Sequence, residues 1–338
     1  MDQFSAHLDR GWELVQRGDT RGAAASARRA LELDPQSPEA HNLLGFVAAM
    51  EGEGEEALES YQQAIALDDT YLEAMLNAAE VYISPLGDYD RALEMCDQAI
   101  DLAEVDEELV DALLLKFDAL MGKGDRAAAK KVLTEIPEGP YVNPSHTFLV
   151  GRALYEMGEV DRAKMLVEDA VSKDPRHGDA HYYLGLIQDE LGEERPATVS
   201  FLRSRELDLV QGMPPWAPER GGWEATAAQA LSDLHPVLRK YVDGADVFIS
   251  DVPGVELVAD GVDPRALVLL DGLEADESAQ DLDRPSRATR VFIYALNVAR
   301  QAGHAEALLP ELLGALEREV TATFLEPRHD DSPPGTLN

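Results

Sequence analysis

The stretch HNLLGFVAAMEGEGEEALESYQQAIALD, residues 41–68, reads as two helices broken once. Apolar residues recur at helical spacing through each half, and Gly52 interrupts the period to supply a turn. Gly45 lets the two helices approach closely, Ala57 and Ala64 leave room for a neighbouring helix, and Tyr61 fills the gap between units. The design returns at residues 181–208, HYYLGLIQDELGEERPATVSFLRSRELD, with Gly185, Gly192, Ala197 and Phe201 in the corresponding places. Between and before these two stretches the turn glycine recurs as Gly18, Gly52, Gly87, Gly124, Gly158 and Gly192, at intervals of 34, 35, 37, 34 and 34 residues. Each is followed five residues later by an alanine: Ala23, Ala57, Ala92, Ala129, Ala163 and Ala197. Such a period means one helical hairpin stacked on the next, each burying its apolar face against its neighbour.

The boundaries agree with that reading. Asp34-Pro35 and Asp174-Pro175 stop a helix because proline cannot continue one, and Ser37-Pro38-Glu39 starts the next with a serine cap and proline in the first turn. The third unit gains a residue near Ser84-Pro85-Leu86, has Ala79 where others have glycine, and leads into the acidic connection Ala103–Glu108. The fourth has Phe117 at that glycine position and ends in Pro137-Glu138-Gly139-Pro140, so regularity should relax there.

Residues 1–211 resemble the tetratricopeptide repeat family. The resemblance implies an α-solenoid of about six hairpins wound as a right-handed superhelix, with a concave surface that holds a peptide or another domain. The family's inward positions fall on Leu8 and Trp12, Asn42 and Phe46, Leu76 and Glu80, Leu114 and Asp118, Phe148 and Arg152, and Tyr182 and Leu186. That floor is apolar and partly aromatic, flanked by acids. Some members grip a C-terminal carboxylate with lysine, asparagine and arginine. Here only Asn42 and Asn77 suggest this and the lysines are missing, so a basic or amphipathic protein segment is the expected partner. The competing reading of each position is packing within the array or against a second domain.

The chain has 338 residues, with 29 basic and 65 acidic side chains and a formal charge of −36. The acidity is spread along the whole chain, a field that disfavours nucleic acid and anionic membrane as partners. One cysteine, Cys96, excludes an internal disulfide and reads as a core thiol. The N-terminus has neither a basic nor an apolar leader region and no run of 18 apolar residues occurs, so a soluble, cytoplasmic protein is expected.

Composition changes at QGMPPWAPERGG, residues 211–222, which reads as a linker over 212–222. Beyond it a helix is predicted over Trp223–Val242 and strands at Asp246–Ile249, Ala266–Leu270 and Arg290–Tyr294. A polar loop from Asp271 to Arg287 and a last helix over Glu306–Phe324 complete a small α+β unit at 223–326. A disordered tail is expected at 327–338.

The order and texture of this second unit resemble the minimal zincin-like metallopeptidases, which implies a zinc motif of two histidines four apart on the last helix with a glutamate between them. Those positions hold Arg318 and Ala322, leaving Glu319 alone, and neither a guanidinium nor a methyl group has a lone pair for zinc. His177 and His181 are four apart, but His177 falls in a loop, so no metal site or cofactor is expected there. The sequence therefore reads as a non-enzymatic interaction adaptor with a catalytically dead zincin-like domain. Two alternatives are a hydrolase that recruits substrate through the repeats, with Glu319 as its vestigial acid, and a chaperone-like adaptor for a single client.

Overall fold

The structure, a computed structural model, describes residues 2–275 and 285–325. Its contacts divide the chain into two compact units, Met1–Pro175 and Arg176–Asn338.

The first unit is a row of five antiparallel helix pairs. They are α1 (Gln3–Gln16) with α2 (Thr20–Leu33), α3 (Pro38–Met50) with α4 (Gly54–Leu67), and α5 (Leu72–Ile83) with α6 (Tyr89–Leu102). They continue as α7 (Asp106–Lys123) with α8 (Arg126–Leu133), and α9 (Pro144–Glu156) with α10 (Val160–Lys173). The five turn glycines of this unit have φ between +64° and +82°, a left-handed conformation that ends a helix tightly and that side chains with a Cβ resist. The alanines five residues on, Ala23, Ala57, Ala92, Ala129 and Ala163, are all fully buried, because no larger side chain fits where the second helix of one pair crosses its neighbours. Tyr61 lies directly against Gly45: a Cβ there would meet the ring at 2.7 Å. Side-chain oxygens of Asp2, Asp19, Ser37, Asp88, Asp125 and Asn143 cap helix starts, each cap contributing about 1 kcal/mol.

Large apolar side chains such as Leu43, Met75, Leu113 and Phe117 are sealed between the pairs, each stabilising the fold by about 2 kcal/mol relative to exposure. Ala79 and Phe117, at positions where other units have glycine, are fully buried too, so the packing is altered there without opening it. The fourth pair is the irregular one, its second helix α8 running for only 8 residues. Cys96 is a core thiol, its pKa pushed up to about 12, chiefly by burial.

The second unit begins with a sixth pair, α11 (Gly178–Glu190) and α12 (Glu194–Gln211). It repeats the turn and packing of the others, with Gly192 at φ +74° and Ala197 buried. After it come α13 (Arg220–Asp233), the short α14 (Pro236–Arg239), β1 (Asp246–Ser250), the short α15 (Val255–Ala259), β2 (Val268–Ala275) and β3 (Pro285–Tyr294). Helices α16 (Ala295–Ala302) and α17 (Leu308–Phe324) follow, the latter preceded by a 3-10 turn at Ala305–Ala307. The strands form one sheet in the order β1-β3-β2, β1 parallel and β2 antiparallel to β3. Val291 and Ile293 of β3, with Val268 and Leu270 of β2, face a core shared with Trp223, Leu312, Leu316 and Phe324.

Several local expectations are corrected. The helix predicted over Trp223–Val242 starts earlier, at Arg220, and breaks after Asp233, where Leu234 turns extended ahead of Pro236. The polar loop predicted over Asp271–Arg287 is partly strand, since β2 runs to Ala275 and β3 starts at Pro285. Its acid Asp271 is paired across the ladder with Arg290 at 2.9 Å. Helix α16 was not predicted at all: its apolar run continues directly from β3, and no turn residue marks the change. The centre of the predicted loop and the tail at 327–338 fall outside the described residues.

Candidate functional site

In the first unit, the first helices of consecutive pairs, α1, α3, α5, α7 and α9, touch one another side by side and form one continuous face. On that face the predicted inward residues separate into two layers. Asn42, Leu114 and Phe148 are buried and form its floor. Leu8, Trp12, Phe46, Leu76, Asp118 and Arg152 are half-buried, and Glu80 is exposed, so these reach solvent. Trp12 and Phe46 meet edge to face with ring centroids 5.4 Å apart, a contact that links the first two pairs.

Polar pairs one repeat apart stitch the same face. Asn77 donates from Nδ2 to Asn42 Oδ1 at 3.0 Å, and Asn42 donates to the Tyr71 hydroxyl at 3.3 Å. His146 Nε2 lies 2.8 Å from Asp111 Oδ1, and the Arg152 guanidinium donates to both oxygens of Asp118 at 2.6 Å. Their separations of 35, 35 and 34 residues match the repeat period. That coincidence is the sequence signal by which Asp111 and His146 could have been found.

Asn42 and Asn77 are thus bonded to each other.

Between the second and third pairs the face dips into a cavity of about 250 Å³, lined by Phe46, Met50, Tyr61, Asn77, Glu80 and Pro85 among others. Glu80 makes no ion pair with any described residue. Its carboxyl is held above the ordinary range, first by desolvation and second by the charge of Asp118. Tyr61, whose ring walls this cavity, has its hydroxyl pKa raised by burial and then by Glu80 and Glu73.

In the second unit the equivalent face of the sixth pair is already filled. Arg265, in the loop before β2, lies over the Tyr182 ring at 4.5 Å from its centroid. Its guanidinium donates to both oxygens of Asp208, at 3.1 and 3.2 Å, and to Asp179 at 2.6 Å. Asp208 is almost fully buried and also pairs with Arg300 of α16. The Tyr182 hydroxyl donates to Asp263 at 2.9 Å. Asn297 fixes the intervening loop by donating to the carbonyls of Pro264 and Ala266. Burial would raise the Asp179 pKa, but Arg265 and Arg300 outweigh it and the carboxyl sits below its ordinary value. Leu186, the other predicted inward residue of this pair, is half-buried on α11. Sequence reasoning missed Arg265 and Asp263 because they come from a loop 81 to 86 residues away and carry no periodicity.

The last helix α17 carries the positions of the absent zinc motif. Arg318 pairs with Glu311 at 3.1 Å, Ala322 is exposed, and Glu319 is half-buried and takes a hydrogen bond from the Leu270 backbone. Burial raises the Glu319 pKa. The Tyr294 hydroxyl has no hydrogen-bond partner among the described residues, and its pKa is pushed up to about 12, chiefly by burial. His177 caps α11, its Nδ1 accepting from the Ala180 N–H, which occupies that nitrogen. No helix among the described residues is long and apolar enough to cross a membrane.

Two models described as tetratricopeptide repeat match the chain, one at residues 8–71 and 148–194, the other at 74–110. A curated relative, the type IV pilus assembly protein PilF of Pseudomonas aeruginosa, is 41% identical over 63 residues. That match spans 19% of this chain and only 25% of the relative. The solved structure of Pseudomonas aeruginosa pilF superposes with a TM-score of 0.51 at 21% identity, over 61% of this chain and 91% of that one. PilW, described as a widely conserved type IV pilus biogenesis factor, gives 0.50 at 18% identity, over 60% and 92%. At such identities the structural likeness speaks for the fold alone. The chain carries tetratricopeptide repeats in a helical, solenoid-like fold, followed by a small α+β region.

Proposed function

We propose that this repeat-bearing chain is a non-enzymatic adaptor, and that its first unit holds a basic or amphipathic segment of a partner protein along the face built by α1, α3, α5, α7 and α9. The observation that carries this reading is the make-up of that face. Trp12, Phe46 and Leu76 reach solvent beside Glu80 and Asp118, over a floor already closed by Asn42, Leu114 and Phe148. An apolar strip edged by carboxylates suits a segment that brings both apolar and basic side chains. The role of the Pseudomonas aeruginosa relative, assembly of type IV pili, supports a narrower form in which the partner is one filament-forming client.

Hydrolysis on α17 has no comparable support, because Arg318 and Ala322 offer no ligand atoms beside Glu319. The zincin likeness of the second unit rests on sequence texture, and the family matches end at residue 194.

A photo-crosslinking residue placed at Leu76, on the face, and at Glu59, exposed on the second helix of its pair, tests the reading in cells. Capture of one protein from Leu76 and not from Glu59 is expected. The same captured set from both positions would remove the face as the binding surface.

A further inference from the structure

We infer that the cavity between the second and third helix pairs is a socket for an arginine side chain of the partner segment, a proposal that rests on the binding face described above. The cavity has the parts a guanidinium needs. Phe46 and Tyr61 line it with their rings and Glu80 with a carboxylate, and no basic residue stands among the described residues lining this cavity of about 250 Å³. A carboxylate partly desolvated beside a second acid, Asp118, is under-compensated: Arg152 answers Asp118, and Glu80 has no counterpart. A positive side chain entering the cavity relieves that imbalance, and its planar form lets it lie on a ring while donating to the carboxylate.

The second unit displays the same chemistry completed. There an arginine, Arg265, lies 4.5 Å over the Tyr182 ring and donates to two carboxylates on a hairpin of the same repeat type. The sixth pair receives its guanidinium from its own chain, whereas the second and third pairs have the ring and the carboxylate without the guanidinium. Lysine, a point charge without a flat face, is the weaker occupant.

The test is selection from a phage-displayed library of random peptides of about 12 residues on the full chain, with the full-length Glu80→Gln variant in parallel. The Glu80 carboxylate has no hydrogen-bond or ion-pair partner among the described residues to lose, so this variant should keep the fold. Enrichment of arginine in peptides selected on the wild type, absent on Glu80→Gln, is the expected result. A selected peptide should then bind about tenfold more weakly to Glu80→Gln and to Phe46→Leu. It should bind unchanged to Glu55→Gln, which removes the same charge from an exposed site on α4 and so controls for the overall acidity.

Replacing the peptide's arginine with neutral citrulline should cost as much as Glu80→Gln, and the two losses should not add. Peptides that bind without an arginine preference, or with one that survives Glu80→Gln, overturn the socket and leave the binding face standing. If no peptide is enriched on the wild type over Trp12→Ala, both the face and the socket fall.

Discussion

The sixth helix pair and the second and third pairs share a repeat design but differ in what completes them. On the sixth, Tyr182, Asp179 and Asp208 enclose Arg265, and the loop that delivers this arginine is pinned by Asn297. On the second and third, Phe46, Tyr61 and Glu80 surround an open cavity. A ring beside carboxylates is structural when the chain supplies the cation; where it does not, the proposed socket leaves the same parts for a partner. Asp208 is buried and would be unfavourable without its arginines, whereas Glu80 is exposed and only partly desolvated, with Asp118 as a second acid acting on it.

The largest effect should come from breaking the completed half. Arg265→Leu leaves Asp208, with a side chain only 3% exposed, answered by Arg300 alone. Removing one partner from a buried charge cluster costs about 3 kcal/mol. Fluorescence of Trp223, buried in the core of the second unit, should follow the loss in urea. Arg265→Lys should recover only part of it, because an ammonium cannot bond both Asp208 oxygens and lie flat on Tyr182. A loss within ~0.5 kcal/mol would show that the cluster is a surface contact and that the parallel with Glu80 is empty.

A second pair of variants sharpens the comparison at its aromatic walls. A Cβ at Gly45 would meet the Tyr61 ring at 2.7 Å, and one at Gly185 would meet Phe201 at 2.5 Å. At Gly45 the Cβ would also meet the Ala57 backbone carbonyl at 3.0 Å, which cannot swing away, so Gly45→Ala should cost about 2 kcal/mol by overpacking. Phe201 is only half-buried and can swing outward, so Gly185→Ala should cost less than half as much despite the shorter contact. Hydrogen exchange in α3 and α4 against α11 and α12 reads the two separately. Equal costs would mean that burial does not decide how these rings respond.

These residues also show what the sequence makes legible. Gly45, Gly52, Ala57 and Tyr61 announce themselves because helical hairpins impose one spacing on small and large side chains, of which the turn glycine and the alanine five residues on recur in all six units. The half-exposed Trp12, Phe46 and Leu76 follow from the same period. Arg265 does not, since a loop residue obeys no period and its partners Asp179 and Asp208 are ordinary acids until the fold places them. Nor could the period say that Asn42 and Phe148 would be buried while Glu80 stays exposed, because that depends on how far each first helix is rotated against the next. The strands β2 and β3 were cut short for a related reason. The polar stretch from Asp271 to Arg287 reads as a loop, yet Arg290 opposite Asp271 makes a cross-strand ion pair that keeps the ladder intact.

The smallest effect is the most discriminating, because Asp179 and Glu80 should contribute to the pH dependence of stability with opposite sign. Asp179 is held below its ordinary pKa of 3.8 by Arg265 and Arg300 against the pull of burial, with His177 contributing. Its contribution to stability is therefore complete above 3.8 and is lost as pH falls through the lowered value. Glu80 is held above 4.5 by desolvation and Asp118, so the folded chain keeps a proton that the unfolded chain releases. The contribution of Glu80 to the stability of the first unit is accordingly lost as pH rises from 4.5 through that raised value. Glu80→Gln should flatten this rising-pH loss in the first unit, and Asp179→Asn should flatten the acid loss in the second, each leaving the other slope unchanged. If Glu80→Gln does not alter the first unit's pH dependence, its carboxylate is adequately solvated and has no unmet demand for a guanidinium from outside the chain.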